Sequence, residues 1–128
     1  MYPGAYVGEA PDRPAVVMAG SGWVQTYAEL DAAANQLSRV LHDAGLRPGD
    51  HVALCMENHP RYLEALWGCR YAGLIYTACS SRLTAGELSY IVNDCEAKAM
   101  IVSASYRAVP WPGEPSTPTR SSPWLRNR

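Results

Sequence analysis

From Thr26 to Gly45 apolar residues return every three or four positions, at Leu30, Ala33, Leu37, Val40 and Leu41. That period predicts an amphipathic helix. Thr26 and Glu29 have the spacing of a capping box at its start. Gly45 supplies a left-handed stop, and Pro48 prevents continuation. The stretch before it, "PAVVMAGSGWVQT", alternates differently. Residues 15–18 are β-prone, 20–22 form a glycine turn and 23–25 return, which predicts a hairpin. Residues 1–13 read as an irregular lead-in.

Beyond the turn "LRPGD", residues 51–56 are nearly all apolar, as in a strand covered on both faces. Asn58 and Pro60 predict the opening of a second helix, with Asn58 or His59 near its cap and Pro60 in its first turn. It continues through Tyr62, Leu63, Leu66, Trp67 and Arg70 to about Gly73. "LIYTA" reads as a short buried strand. Thr84 and Glu87 repeat the capping-box spacing ahead of Leu88, Ile91 and Cys95, and "AKAMIVSAS" holds a further strand. An N-terminal β-hairpin followed by alternating helices and strands predicts an α/β fold with parallel strands and right-handed crossovers.

After Ser105 the periodicity stops, and five prolines with serines and arginines fill the remainder. Such a composition cannot build a packed element. The expected division is therefore an ordered part, 1–105, and a disordered Pro/Arg/Ser-rich C-terminal tail, 106–128. The net charge of −1 is unevenly spread: four arginines against one glutamate give +3 from Tyr106 onward, leaving −4 in the rest. Neither value makes a field for nucleic acid or an anionic membrane, and no folded aromatic platform accompanies the tail arginines. "PSTPTR", 115–120, fits P-x-x-P-x-R, a pattern that any proline- and arginine-rich stretch matches easily. The start, "MYPGAYVGEAPDRP", has no apolar core of a signal peptide, and residues 71–79, the longest apolar run, are too short for a membrane span. Cys55, Cys69, Cys79 and Cys95 include no C-x-x-C pair and lie in apolar stretches, as expected of buried thiols in a reducing, cytoplasmic setting.

Candidate chemistry is sparse. Gly20-Ser21-Gly22 begins like a dinucleotide fingerprint but lacks the third glycine and precedes a strand. The single lysine, Lys98, is expected to face solvent. His42, His51 and His59 have no spacing for a metal or an acid–base pair, so no catalytic residue and no metal ligand is assigned. In parallel α/β sheets ligands bind at the carboxyl ends of strands. That rim would hold Asn58, His59, Ser80, Ser81 and Arg82, with capping or surface exposure as the simpler role for His59. These are candidates for lining a ligand site. The substrate-binding residues are unknown.

The stretches "TYAELDAAANQLSRVLHDAGLRPGDHVAL", "RLTAGELSYIVND" and the lead-in "PDRPAVV" resemble the opening of the AMP-dependent synthetase and ligase superfamily, the adenylate-forming enzymes. "WGCRYAGLIYTACSSRLT" is most similar to the acyl-CoA synthetases, in particular fatty-acid–CoA ligases. The likeness covers residues 10–104, with Cys79 standing where many relatives have another small or polar residue. It implies a partial Rossmann-like or flavodoxin-like subdomain of the adenylate-forming fold. It also implies, for the intact family, a fatty acid or other carboxylic acid, ATP, Mg²⁺ and CoA, with an acyl-adenylate as intermediate. The family's phosphate loop, ribose-binding aspartate and catalytic lysine regions are not among these residues, so the resemblance implies an N-terminal fragment, inactive alone and binding none of those cofactors itself. From residue 106 the family likeness is expected to cease, as a frameshift or truncation would produce. The alternative is a non-catalytic interaction module using an open strand edge or the proline-rich tail. A separate chain supplying the missing part is the partner that the first reading implies.

Overall fold

A computed structural model describes residues 1–104 and the backbone of residues 126 and 127. The hairpin forms from β1 (Pro14–Val17) and β2 (Val24–Thr26), paired antiparallel, with Gly22 at φ +71° in the turn. Thr26 ends β2 and caps α2 (Tyr27–Asp43). Its hydroxyl accepts from the Glu29 N–H at 3.3 Å, while the Glu29 carboxylate accepts from the Thr26 N–H at 2.8 Å. Two of the four early donors that a helix start leaves open are thereby satisfied. α2 buries Leu30, Ala34 and Leu41; Val40, expected inside, is exposed. The lead-in is not wholly irregular. One helical turn, α1 (Gly4–Val7), is held by the Gly4 N–H donating to the Tyr71 hydroxyl at 3.2 Å and by Tyr6 stacking on Tyr27 at 5.0 Å.

β3 (His51–Cys55) is the centre of a parallel sheet, with β4 (Ile75–Cys79) on one side and β5 (Ala99–Val102) on the other. Alternate residues of β3 enter two cores. Val52 and Leu54 pack with Leu41 of α2, with Ala65 and Cys69 of α3 (Tyr62–Tyr71) and with Ile101. Ala53 and Cys55 pack on the opposite face with Cys79, Met100 and Leu88 and Val92 of α4 (Ala85–Asp94). The molecule is therefore a three-layer sandwich: α2 and α3 on one face, the sheet, and α4 on the other. α4 carries the second capping box, with the Thr84 hydroxyl accepting from the Glu87 N–H at 3.4 Å. Among the described residues, no helix is long and apolar enough to cross a membrane.

Three further expectations are corrected. α3 begins at Tyr62, not at Pro60, and its N-cap Arg61 makes no side-chain cap bond; the Tyr62 N–H instead bonds the His59 carbonyl at 2.9 Å, so residues 59–62 form a turn ahead of the helix. β4 is an edge strand rather than a buried one, with Ile75 50% exposed, because among the described residues only β3 pairs with it. Lys98 is exposed, as expected, and its ammonium also donates to Asp50 Oδ1 at 2.7 Å. Of the stretch 106–128, expected to be irregular, Arg126–Asn127 forms β6, antiparallel to Ala99 and Met100. The remainder, including "PSTPTR", lies outside the described residues.

α2 and α3 meet where Gly68 faces Leu37. A β-carbon at Gly68 would lie 2.7–2.9 Å from three Leu37 carbons, including its β-carbon. Gly68→Ala is expected to cost about 1–3 kcal/mol through overpacking. Gly86, in α4, has nothing within 4 Å of such a carbon. Gly86→Ala should stabilise by about 0.5–1 kcal/mol through helix propensity. Urea-unfolding midpoints that move in opposite directions for the two variants verify this; equal shifts contradict the close helix approach.

The Asp50 carboxyl is held below the usual carboxylate range, first by the Lys98 ammonium and then by the Arg47 N–H at 2.8 Å. A group whose folded value is lowered adds stability above its unfolded value and loses it as pH falls through the folded one. The difference in urea midpoint between the native chain and Asp50→Asn should be present at pH 6 and shrink as pH falls below about 4. A difference that does not change with pH contradicts this origin.

Candidate functional site

The carboxyl ends of β3 and β4 offer a candidate place for a ligand. β3 leads through α3 on one face, whereas its neighbour β4 leads through α4 on the other. Connections leaving adjacent parallel strands toward opposite faces are an arrangement in which a crevice can form beyond their carboxyl ends. The register Cys55↔Cys79 makes residues 56–59 and 80–82 the two sides of that crevice. Asn58 and His59, and Ser80, Ser81 and Arg82, therefore leave the ends of neighbouring strands. The direct tie across them is the Cys55 thiol donating to the Ser80 carbonyl at 3.6 Å.

The His59 and Ser80 side chains are locally engaged. His59 Nδ1 accepts from the Arg61 N–H at 3.1 Å, so the imidazole is turned toward its own turn, the capping role anticipated for it. With Nδ1 accepting, the neutral ring carries its proton on Nε2. Ser80 Oγ accepts from the Arg82 N–H at 3.2 Å and shapes the turn into α4. The Arg82 residue is exposed and Ser81 half-buried.

Two rim residues escaped the sequence reading. Ser103, 1% exposed, donates from Oγ to Glu57 Oε2 at 2.5 Å. This bond joins the carboxyl ends of β3 and β5. Glu57 directly follows the predicted strand 51–56 and Ser103 lies near the end of the stretch 97–105 read as holding the last one, which is the signal that could have found them. Removing a hydrogen bond to a carboxylate costs about 1.5–3 kcal/mol. Ser103→Ala should lower stability by about that much, and Ser103→Thr should recover part of it; chemical denaturation of both variants measures the difference. No loss in the alanine variant contradicts the bond.

A second concavity, of about 270 Å³, runs between α2, α3 and β5. It is lined by Ala33, Leu37, Val40, Ala65 and Ile101 with Gln36, Arg61 and Glu64. Beside it Gln25, 4% exposed, donates from Nε2 to Glu64 Oε1 at 2.5 Å. Its lining is chiefly aliphatic, and Arg61 and Glu64 lie 3.9 Å apart, so their charges offset.

The family resemblance implies a nucleotide and a divalent cation. Lys98 is tied to Asp50, and both precede their strands, at the end of the sheet opposite the crevice. Arg82 is the one cation among the rim candidates, and no group of three metal-ligating side chains exists among the described residues. These residues do not make up a set that holds a triphosphate with a divalent ion. All four cysteines are free thiols.

Comparison with known proteins adds the following. The profile of the family described as AMP-binding enzyme matches residues 5–123, a range that runs into the stretch set apart on composition as a tail. Feruloyl-CoA synthase of an Amycolatopsis species is 41% identical over 80 residues, covering 62% of this chain and 16% of the relative. The fatty acid–[acyl-carrier-protein] ligase ScoC of Streptomyces coeruleorubidus is 33% identical over 99 residues, 77% of this chain and 19% of the relative. A fatty acyl CoA synthetase structure from Mycobacterium tuberculosis superposes with a TM-score of 0.76 at 30% identity, over 84% of this chain and 21% of that one. The chain thus spans about a fifth of the length of the relatives it matches.

Proposed function

The chain belongs to the AMP-binding enzyme family, and we propose that it is the opening segment of an ATP-dependent, AMP-forming fatty-acid–CoA ligase. The observation that carries this reading is the likeness to the fatty acyl CoA synthetase of Mycobacterium tuberculosis, in fold and at 30% identity over 84% of the chain. In such a ligase a carboxylate oxygen attacks the α-phosphorus of ATP, releasing pyrophosphate, and the thiol of CoA then displaces AMP from the acyl-adenylate. That chemistry depends on positioning and on stabilising charge at the phosphates.

This segment's contribution is the scaffold. Its parallel sheet and the β3/β4 crevice give the first wall of a site whose cationic and metal-binding groups come from elsewhere in the intact ligase. The segment alone is inactive in this reading, because its lysine is committed to Asp50 at the far end of the sheet and the rim candidates offer one exposed arginine. The remaining part of the ligase, whether continuous or a separate chain, is its obligate partner. A boundary near residue 105 rests on composition, and the family match to residue 123 weighs against a sharp break there. A cytoplasmic setting is supported by the four free thiols.

The test is ATP–pyrophosphate exchange with fatty acids of several chain lengths and with an aryl acid. No exchange above the protein-free background is expected from the purified chain. Exchange that is dependent on a fatty acid overturns its inactivity while supporting the substrate class. Exchange with the aryl acid alone overturns the fatty-acid assignment.

A further inference from the structure

Cys55 and Cys79 end their strands as a register pair in adjacent parallel strands. Both side chains enter the same core, the one beneath α4, with 0% and 8% of their surface exposed. Neighbouring strands lie about 4.8 Å apart, inside the range of Cα separations that disulfides span, about 4.4–6.8 Å. Side chains on one face of such a pair point the same way, so the two sulfur atoms share one side of the sheet. Both thiols now donate to carbonyls: Cys55 to Ser80 and Cys79 to Thr77, each at 3.6 Å. Cys95 packs against the same core from the far end of α4, and Cys69 lies in the opposite core.

We propose that Cys55 and Cys79 are a redox-sensitive pair that closes to a disulfide across the carboxyl ends of β3 and β4 when the protein meets a peroxide. The more exposed Cys79 sulfur takes one oxygen from peroxide, giving a sulfenic acid and a water. Cys55 sulfur then attacks it; the S–S bond forms, and the hydroxyl leaves with the Cys55 proton as a second water. Two thiols are oxidised and one peroxide is reduced. The link fixes the positions from which Ser80 and the 56–59 turn depart, so it stiffens the crevice mouth. This holds whatever the ligand of that crevice is. Burial pushes the Cys79 thiol up to about 11, which makes the step slow at neutral pH and faster as pH rises.

Arg61, Arg70, Arg82 and Lys98 separate the four cysteines, so each falls on its own tryptic peptide. The full chain is treated with hydrogen peroxide, unfolded, alkylated, digested without reductant and mapped by mass spectrometry. The alkylatable thiols should fall from four to two. The linked product should join the Cys55 and Cys79 peptides, and dithiothreitol should release it. Cys69 is the internal control for folding and should remain alkylated. Oxidation of Cys95 alone, a Cys79–Cys95 link, or loss of Cys69 at the same rate as the pair would each overturn the proposal. In Cys79→Ser, Cys55 should stay reduced over the same exposure; its oxidation there would show that it does not need this partner.

Discussion

The structure depends on β3 being buried on both faces. Val52, Ala53, Leu54 and Cys55 are each fully buried, and each alternate pair belongs to a different core. Fully burying a side chain such as Val or Leu contributes about 1.5–3 kcal/mol, so Val52 and Leu54 alone outweigh any surface ion pair on this chain. A strand of this kind needs a helical layer on each side. That requirement sends α3 to one face and α4 to the other, and the crevice follows from it. The candidate site is thus a consequence of how the core is covered, not of any one polar residue.

Much of the fold was legible because its signals are local. The capping boxes at Thr26 and Thr84 each need only four consecutive residues, and both form as read. The apolar run at 51–56 announced a doubly covered strand, because alternation vanishes when both faces are dry. Other features are not local. "LIYTA" is as apolar as a central strand, but whether another strand lies beside it is decided by sheet order. Lys98 meets Asp50 across 48 positions of sequence because β5 and β3 are neighbours, and nothing near Lys98 announces that. Pro60 marked the approach to α3 correctly, yet the chain makes a turn at His59 before the helix begins.

The site was half legible. Asn58, His59, Ser80, Ser81 and Arg82 could be placed on the rim from strand ends alone. That the two groups leave the ends of neighbouring strands needed the strand order. Glu57 and Ser103 were missed since neither residue type is distinctive, and their bond exists through the β3–β5 pairing. The family could be read from motifs inside α2 and α4, elements that build the scaffold. Motifs of this sort identify an ancestry while leaving the chemistry to residues elsewhere.

Amide hydrogen exchange followed residue by residue tests the central role of β3 most directly. The amides of Val52, Ala53 and Leu54 should exchange slowest among the described residues, through global unfolding, while those of the β1–β2 hairpin exchange through smaller openings. Exchange of the β3 amides as fast as those of the hairpin would contradict the doubly buried strand, and with it the crevice that its two covering layers create.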